Sequence, residues 1–215
     1  MKSKTNIFQN QKGVSLVEML VVIMIITILS TIALMQFGSS KDQFRRQNVA
    51  QELKTAFERA RFDSVKRRAE IVSGVDNRAK VTVNTTSFTL AVDKNGNGTI
   101  EQPADDSVNN FGTQNVTITN TAGNAMTFPV TVFYDKRGEV TATDNGGNTV
   151  NPIFIVCNGV CISATANSSN SNIVLVTPTG TVNLLGGGSA IPVFPTPAVT
   201  PVPFGSGIRN DVTLP

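Results

Sequence analysis

The sequence predicts an α+β protein: a long amino-terminal helix, membrane-spanning in its first half and amphipathic in its second, packed on an antiparallel β-sheet or β-sandwich head. Three observations carry that expectation. No charged residue stands between Glu18 and Lys41, and Leu, Ile, Val and Met fill most of 19–37. From Lys41 to about Val72, apolar and small residues return at three- and four-residue spacing. Beyond Gly74, short runs of Val, Thr, Ile and Phe alternate with turns of Asn, Gly and Asp.

The apolar run is long enough to cross a bilayer, because about 20 helical residues span roughly 30 Å of hydrocarbon. Glu18 is its misfit. A carboxylate near the centre of such a helix costs about 2.5 to 3.5 kcal/mol, and less near an end, so keeping it calls for a compensating interaction. Lys2, Lys4 and Lys12 precede the run without an acid among residues 1–13, which holds the amino terminus in the cytoplasm and sends the rest outward. An ordinary secretory signal fits poorly, since its apolar core is about 7 to 15 residues and ends in a small-residue cleavage site.

In the next segment Val49, Leu53, Ala56, Phe57, Ala60 and Ser64 share one helix face, while Arg45, Glu52, Arg59, Lys66 and Arg67 lie elsewhere. That face is expected against the head. Gly38-Ser39-Ser40 is expected to loosen the helix where it leaves the membrane, with Gly38 as the soft spot. Arg67-Arg68 reads as a cation cluster favoured by the helix macrodipole.

Strands are expected at 79–83, 87–92, 116–120, 130–134, 153–156 and 173–177. Turns are expected at Asn95-Gly96, Arg137-Gly138, Asn145-Gly146-Gly147 and Thr179-Gly180. The last of these closes a hairpin over 172–182. Residues 186–215 differ from the rest: they hold six of the ten prolines, with Phe194 and Phe204 between them. They read as an extended polyproline-like strap or a tail.

Composition narrows the function. There is no His, one Tyr and two Cys, which removes the usual triads, most catalytic zinc sites and the commonest general base; no enzyme is expected. Without the three leading lysines, 15 basic residues face 15 acidic ones, so the pI of about 9.0 belongs to the full-length chain. Residues 41–80 hold 11 Lys or Arg against 6 acids, and residues 81–215 hold 4 against 8. The basic stem, just outside the membrane, reads either as a contact for anionic lipid or a partner subunit or, more commonly for such a pattern, as a solvated helical face. DNA binding needs clustered cations on the exposed part, and the head lacks them.

The run Lys12-Gly13-Val14-Ser15-Leu16-Val17-Glu18 and the apolar helix behind it resemble the class III signal of type IV pilins and pseudopilins. The resemblance implies that a membrane peptidase cuts after Gly13 and methylates the new amino terminus at Val14. It also makes Glu18 the buried acid that pairs with the Val14 ammonium of a neighbouring subunit in a fibre. Ala60-Arg61-Phe62-Asp63-Ser64-Val65-Lys66-Arg67-Arg68 and the hairpin 172–182 are similar to the stem and carboxy-terminal hairpin of H-type minor pseudopilins and related minor pilins. Four positions depart from the family: Val14 stands for Phe, Met35 for Pro, Ser64 for Ala and Thr181 for Arg.

The function so implied is that of a minor pilin or pseudopilin, a structural subunit of a type II secretion pseudopilus or type IV pilus. The implied partners are prepilin peptidase, other pilin or pseudopilin subunits and an inner-membrane assembly platform. The implied location is the bacterial inner membrane, single-pass with the head in the periplasm, and then the fibre. A minor pilin that binds DNA for uptake, or a surface for adhesion, is the alternative. The expected organisation is a leader over 1–13, a membrane and fibre-core helix over 14–40, a stem over 41–73, a β head over 74–185 and a tail over 186–215.

Two further constellations stand out. Asp93-Lys94-Asn95-Gly96-Asn97-Gly98 matches the first half of a calcium loop, with Asp93, Asn95, Asn97, the Thr99 carbonyl and Asp105 as candidate ligands, although Ala104 occupies the twelfth position. The same residues also make an ordinary Asn-Gly hairpin turn, and both readings stand. Cys157 and Cys161 enclose Asn158-Gly159-Val160 and, outside the cytoplasm, are expected to form a hairpin disulfide.

Overall fold

The computed structural model describes residues 13–72, 74–121, 126–161 and 170–190, with the side chains of 34–39 and 72 left aside. Residues 1–12, most of the expected leader, and the proline-rich segment 191–215 lie outside the described residues. The chain divides into two compact units, Met1–Arg45 and Arg46–Pro215.

One helix, α1 (Leu16–Arg67), runs for 52 residues. Its backbone continues through Gly38-Ser39-Ser40, so the expected loosening there is absent. A single helical glycine costs about 1 kcal/mol, which a helix of this length absorbs. The helix stops at Arg67, earlier than the residue pattern suggests. Arg68 turns left-handed at φ 53, the Ala69 N–H reaches the Ser64 carbonyl at 2.8 Å, and the Arg68 N–H reaches the Val65 carbonyl at 3.2 Å. This is a Schellman stop made without glycine.

In the first unit the run Leu16–Ala33 is long and apolar enough to cross a membrane, and none of it is buried. Its hydroxyls are satisfied within the helix: Thr27 donates to the Ile23 and Met24 carbonyls, Ser30 to Ile26, and Thr31 to Thr27 and Ile28. Such internal pairing is what a polar side chain needs where water is absent.

In the second unit, the residues of α1 from 46 onward lie against antiparallel sheets. The strands are β1 (Ile71–Val72), β2 (Val75–Asp76), β3 (Lys80–Val83), β4 (Ser87–Ala91), β5 (Asp106–Asn110), β6 (Val116–Asn120), β7 (Val130–Tyr134), β8 (Val140–Thr143), β9 (Ile153–Asn158), β10 (Ser171–Val176) and β11 (Val182–Gly186). They form a two-stranded ribbon β1-β2, a five-stranded sheet β5-β4-β3-β7-β8 and a four-stranded sheet β11-β10-β9-β6. The hairpin over 172–182 is present, with Val176 opposite Val182.

Val49, Leu53, Phe57 and Ala60 of α1 join Val81, Val132, Phe154 and Val174 from both larger sheets in one core. Phe57 stacks on Phe154 with ring centroids 5.7 Å apart. Strand β7 buries alternate residues, whereas β10 is buried at every position. A second apolar cluster, of Ile153, Ile155, Cys157, Ile173 and Leu175, explains that continuity.

Three polar residues fasten α1 to the sheets. The buried Arg46 donates from Nε to Asn172 Oδ1 at 2.8 Å and from a terminal nitrogen to the Asn170 carbonyl at 2.5 Å. Burial lowers its pKa from the ordinary arginine value. Ser64 Oγ accepts the Ala79 N–H at the foot of β3. Arg67 pairs with Asp63 at 2.5 Å and donates to the carbonyls of Asn77 and Gly98. It ties the helix end to two loops rather than standing as part of a solvated cation cluster.

Candidate functional site

Gly13, Val14 and Ser15 precede the first helical residue, Leu16. A Cβ placed on Gly13 would meet nothing within 4 Å, and Val14 is 63% exposed. The peptide between Gly13 and Val14 is therefore open non-helical backbone, the form a protease can take into its cleft.

Glu18 sits in the first turn of α1. The helix dipole is positive at that end and stabilises an anion there by about 0.3 to 1 kcal/mol. Ser15 and Glu18 also match the S-x-x-E capping pattern, a signal the family resemblance overshadows. Neither side chain makes a hydrogen bond or ion pair among the described residues, and Glu18 is exposed. An ammonium created at Val14 would stand at the positive end of the dipole, the unfavourable place for it. A carboxylate is what that position lacks, and Glu18 carries one with no other engagement.

The loop 93–105 brings its candidate calcium ligands into one neighbourhood but turns their oxygens toward amides. Asp93 accepts the N–H groups of Gly96, Asn97 and Gly98, and Arg67 Nε lies 3.8 Å from its Oδ2. Burial raises the pKa of the Asp93 carboxyl, yet these amides and the Arg67 charge outweigh it, and the net shift is downward. Asn95 Oδ1 accepts the Asn97 N–H, and Asn97 Oδ1 accepts both the N–H and the hydroxyl of Thr99. Asp105 accepts from the Lys94 and Glu101 amides. Among the described residues no three acidic, His or Cys side chains are grouped to hold a metal ion.

Cys157 and Cys161 are joined, with Cα atoms 5.6 Å apart. The bridge closes a bend beyond β9, where Gly159 adopts φ 65 and donates its N–H to the Asn115 carbonyl at 2.7 Å. Cys157 is fully buried in the second apolar cluster.

Asp144 is a further carboxylate that the pattern of residues does not single out. It closes the turn after β8 by accepting from the Asn148 N–H at 2.8 Å and from the N–H and hydroxyl of Thr127. The Asn148 amide first, and then the Thr127 donors against the opposing effect of burial, hold its pKa down at about 2.

Residues 8–34 match the family described as the prokaryotic N-terminal methylation motif. No curated protein matches the chain, and no solved structure does. The matched segment takes in the open Gly13–Val14 peptide, Glu18 and the bare apolar helix. The amino-terminal segment is thus similar to that motif, and the match does not extend beyond residue 34.

Proposed function

We propose that this chain is a minor pilin or pseudopilin, a structural subunit that enters a type II secretion pseudopilus or a type IV pilus through its amino-terminal helix. The observation that carries the reading is Glu18, an exposed carboxylate without a partner among the described residues, at the head of an apolar helix and inside the matched methylation motif. Prepilin peptidase cuts after Gly13, and Val14 becomes the methylated first residue. Each of the two charges is expensive alone in hydrocarbon, and a neighbour displaced along the fibre lets them share the cost as a pair. The stem segment 60–68 and the hairpin 172–182 support the H-type branch of the family. The head faces the periplasm, consistent with a disulfide at Cys157 and Cys161.

Processing is tested by the mass of the protein recovered from cells that carry the peptidase. The expected species lacks residues 1–13, has gained one methyl group at Val14 and has lost two hydrogens at the cysteines. A protein that keeps Gly13 in the presence of active peptidase would remove the basis of the reading.

A further inference from the structure

Past the apolar run the helix carries one turn suited neither to hydrocarbon nor to open water. Lys41 is the first charge after Glu18, and Lys41, Phe44 and Arg45 follow at spacings that put them on one helix face. Phe44 is 65% exposed. Among the described residues Arg45 has only a long, open pairing with Asp42, at 4.0 Å with both side chains about half exposed. Such a pair contributes little and leaves the guanidinium available to other anions. A bare ring between two cations, one step beyond an apolar helix, suits a membrane–water interface, where the ring meets the acyl boundary and long cationic side chains reach out to the headgroups.

The distances agree. At 1.5 Å per residue, Lys41 lies about 35 Å and Phe44 about 39 Å from Glu18 along the helix. A bilayer is about 30 Å thick in its hydrocarbon and about 40 to 45 Å with its headgroups. With Glu18 at one hydrocarbon boundary and a tilt of about 20°, Phe44 falls in the headgroup layer of the opposite leaflet.

We propose that Lys41, Phe44 and Arg45 form an interfacial anchor. The phenyl ring lies at the junction of headgroups and acyl chains, and the two cations contact the phosphates of anionic phospholipids, which fixes the depth at which the helix leaves the bilayer. The proposal rests on the reading that the apolar run spans a membrane. A neighbouring subunit is the other occupant for this face. Lipid is favoured because the patch continues the span and because the ring is flanked by cations on its own face.

The chain has no Trp, so Phe44→Trp and Ile28→Trp each supply a single fluorescent reporter in the full-length protein. Both variants are reconstituted in phosphatidylcholine vesicles containing phosphatidylglycerol and lipids spin-labelled near the headgroup or near the chain end. The Ile28→Trp indole is expected to be quenched most by the chain-end label. The Phe44→Trp indole is expected to emit to the blue of a water-exposed indole and to be quenched most by the shallow label, at a depth of about 5 to 10 Å into the interface. Adding Lys41→Gln and Arg45→Gln should shift that emission to the red and reduce the shallow quenching. Water-like emission without quenching at 44, while position 28 is quenched, overturns the anchor and leaves the span intact. Loss of quenching at both positions overturns span and anchor together. A blue shift at 44 that grows with protein-to-lipid ratio, without lipid quenching, assigns the face to a neighbouring subunit and overturns the lipid proposal.

Discussion

The buried Ser64 Oγ accepts the Ala79 N–H at 2.9 Å, fastening the last turn of α1 to the foot of β3. Ser64 also offers its carbonyl to the Ala69 N–H that ends the helix, so one residue closes the helix and positions the first strand of the five-stranded sheet. Ser64→Ala keeps the small volume and the carbonyl but leaves the Ala79 N–H without an acceptor at a fully buried point. The expected loss is about 1 to 3 kcal/mol, measured by denaturant unfolding of the full chain in detergent. An unchanged midpoint would mean that this contact does not hold the two elements together.

Acidification should weaken the head through Asp144. Its folded-state pKa of about 2 lies below the ordinary 3.8, so the stabilisation is present above about pH 4 and disappears as the pH falls toward 2. Asp144→Asn is expected to be less stable than the parent at neutral pH and to lose less between pH 4 and pH 2. Thermal unfolding midpoints across that range test this. Equal slopes for the two chains would put the acid sensitivity elsewhere.

The loop 93–105 should hold its shape without a metal ion, since the oxygens of Asp93, Asn95, Asn97 and Asp105 are already engaged by amides and hydroxyls. A calcium ion would have to share these oxygens with the amides they already accept from, and would lie close to the Arg67 guanidinium. The expected result is the same unfolding temperature in excess calcium as in chelator. A rise of several degrees with calcium would show that the loop rearranges around an ion.

Much of the head was legible because its strands are short runs rich in Val, Thr, Ile and Phe set between segments rich in Asn, Gly and Asp: 116–120 and 130–134 coincide with β6 and β7. Strand β5 was not legible. Asp106-Ser107-Val108-Asn109-Asn110 has one apolar residue, and Val108 is 69% exposed; pairing with β4 makes it a strand, not its own pattern. Strand β10 begins at Ser171, ahead of its apolar run, because Asn172 is buried by its bond to Arg46. The helix end was hidden for a related reason, as an arginine holds the left-handed position where glycine is the usual signal. Gly13, Val14 and Glu18 were singled out by their resemblance to the class III signal, and they lie inside the segment 8–34 that matches the methylation motif. That Glu18 stands exposed and unpaired among the described residues was not legible, because it depends on what the rest of the fold leaves free.

In the proposed function assembly turns on that carboxylate, and Glu18→Ala tests the proposal most directly. The variant is followed in cells that build the fibre, measuring its membrane insertion, its processing at Gly13 and its presence in sheared or cross-linked fibres. Insertion and cleavage are expected to persist while incorporation falls to background. Incorporation at the parental level would contradict the pairing of Val14 with Glu18.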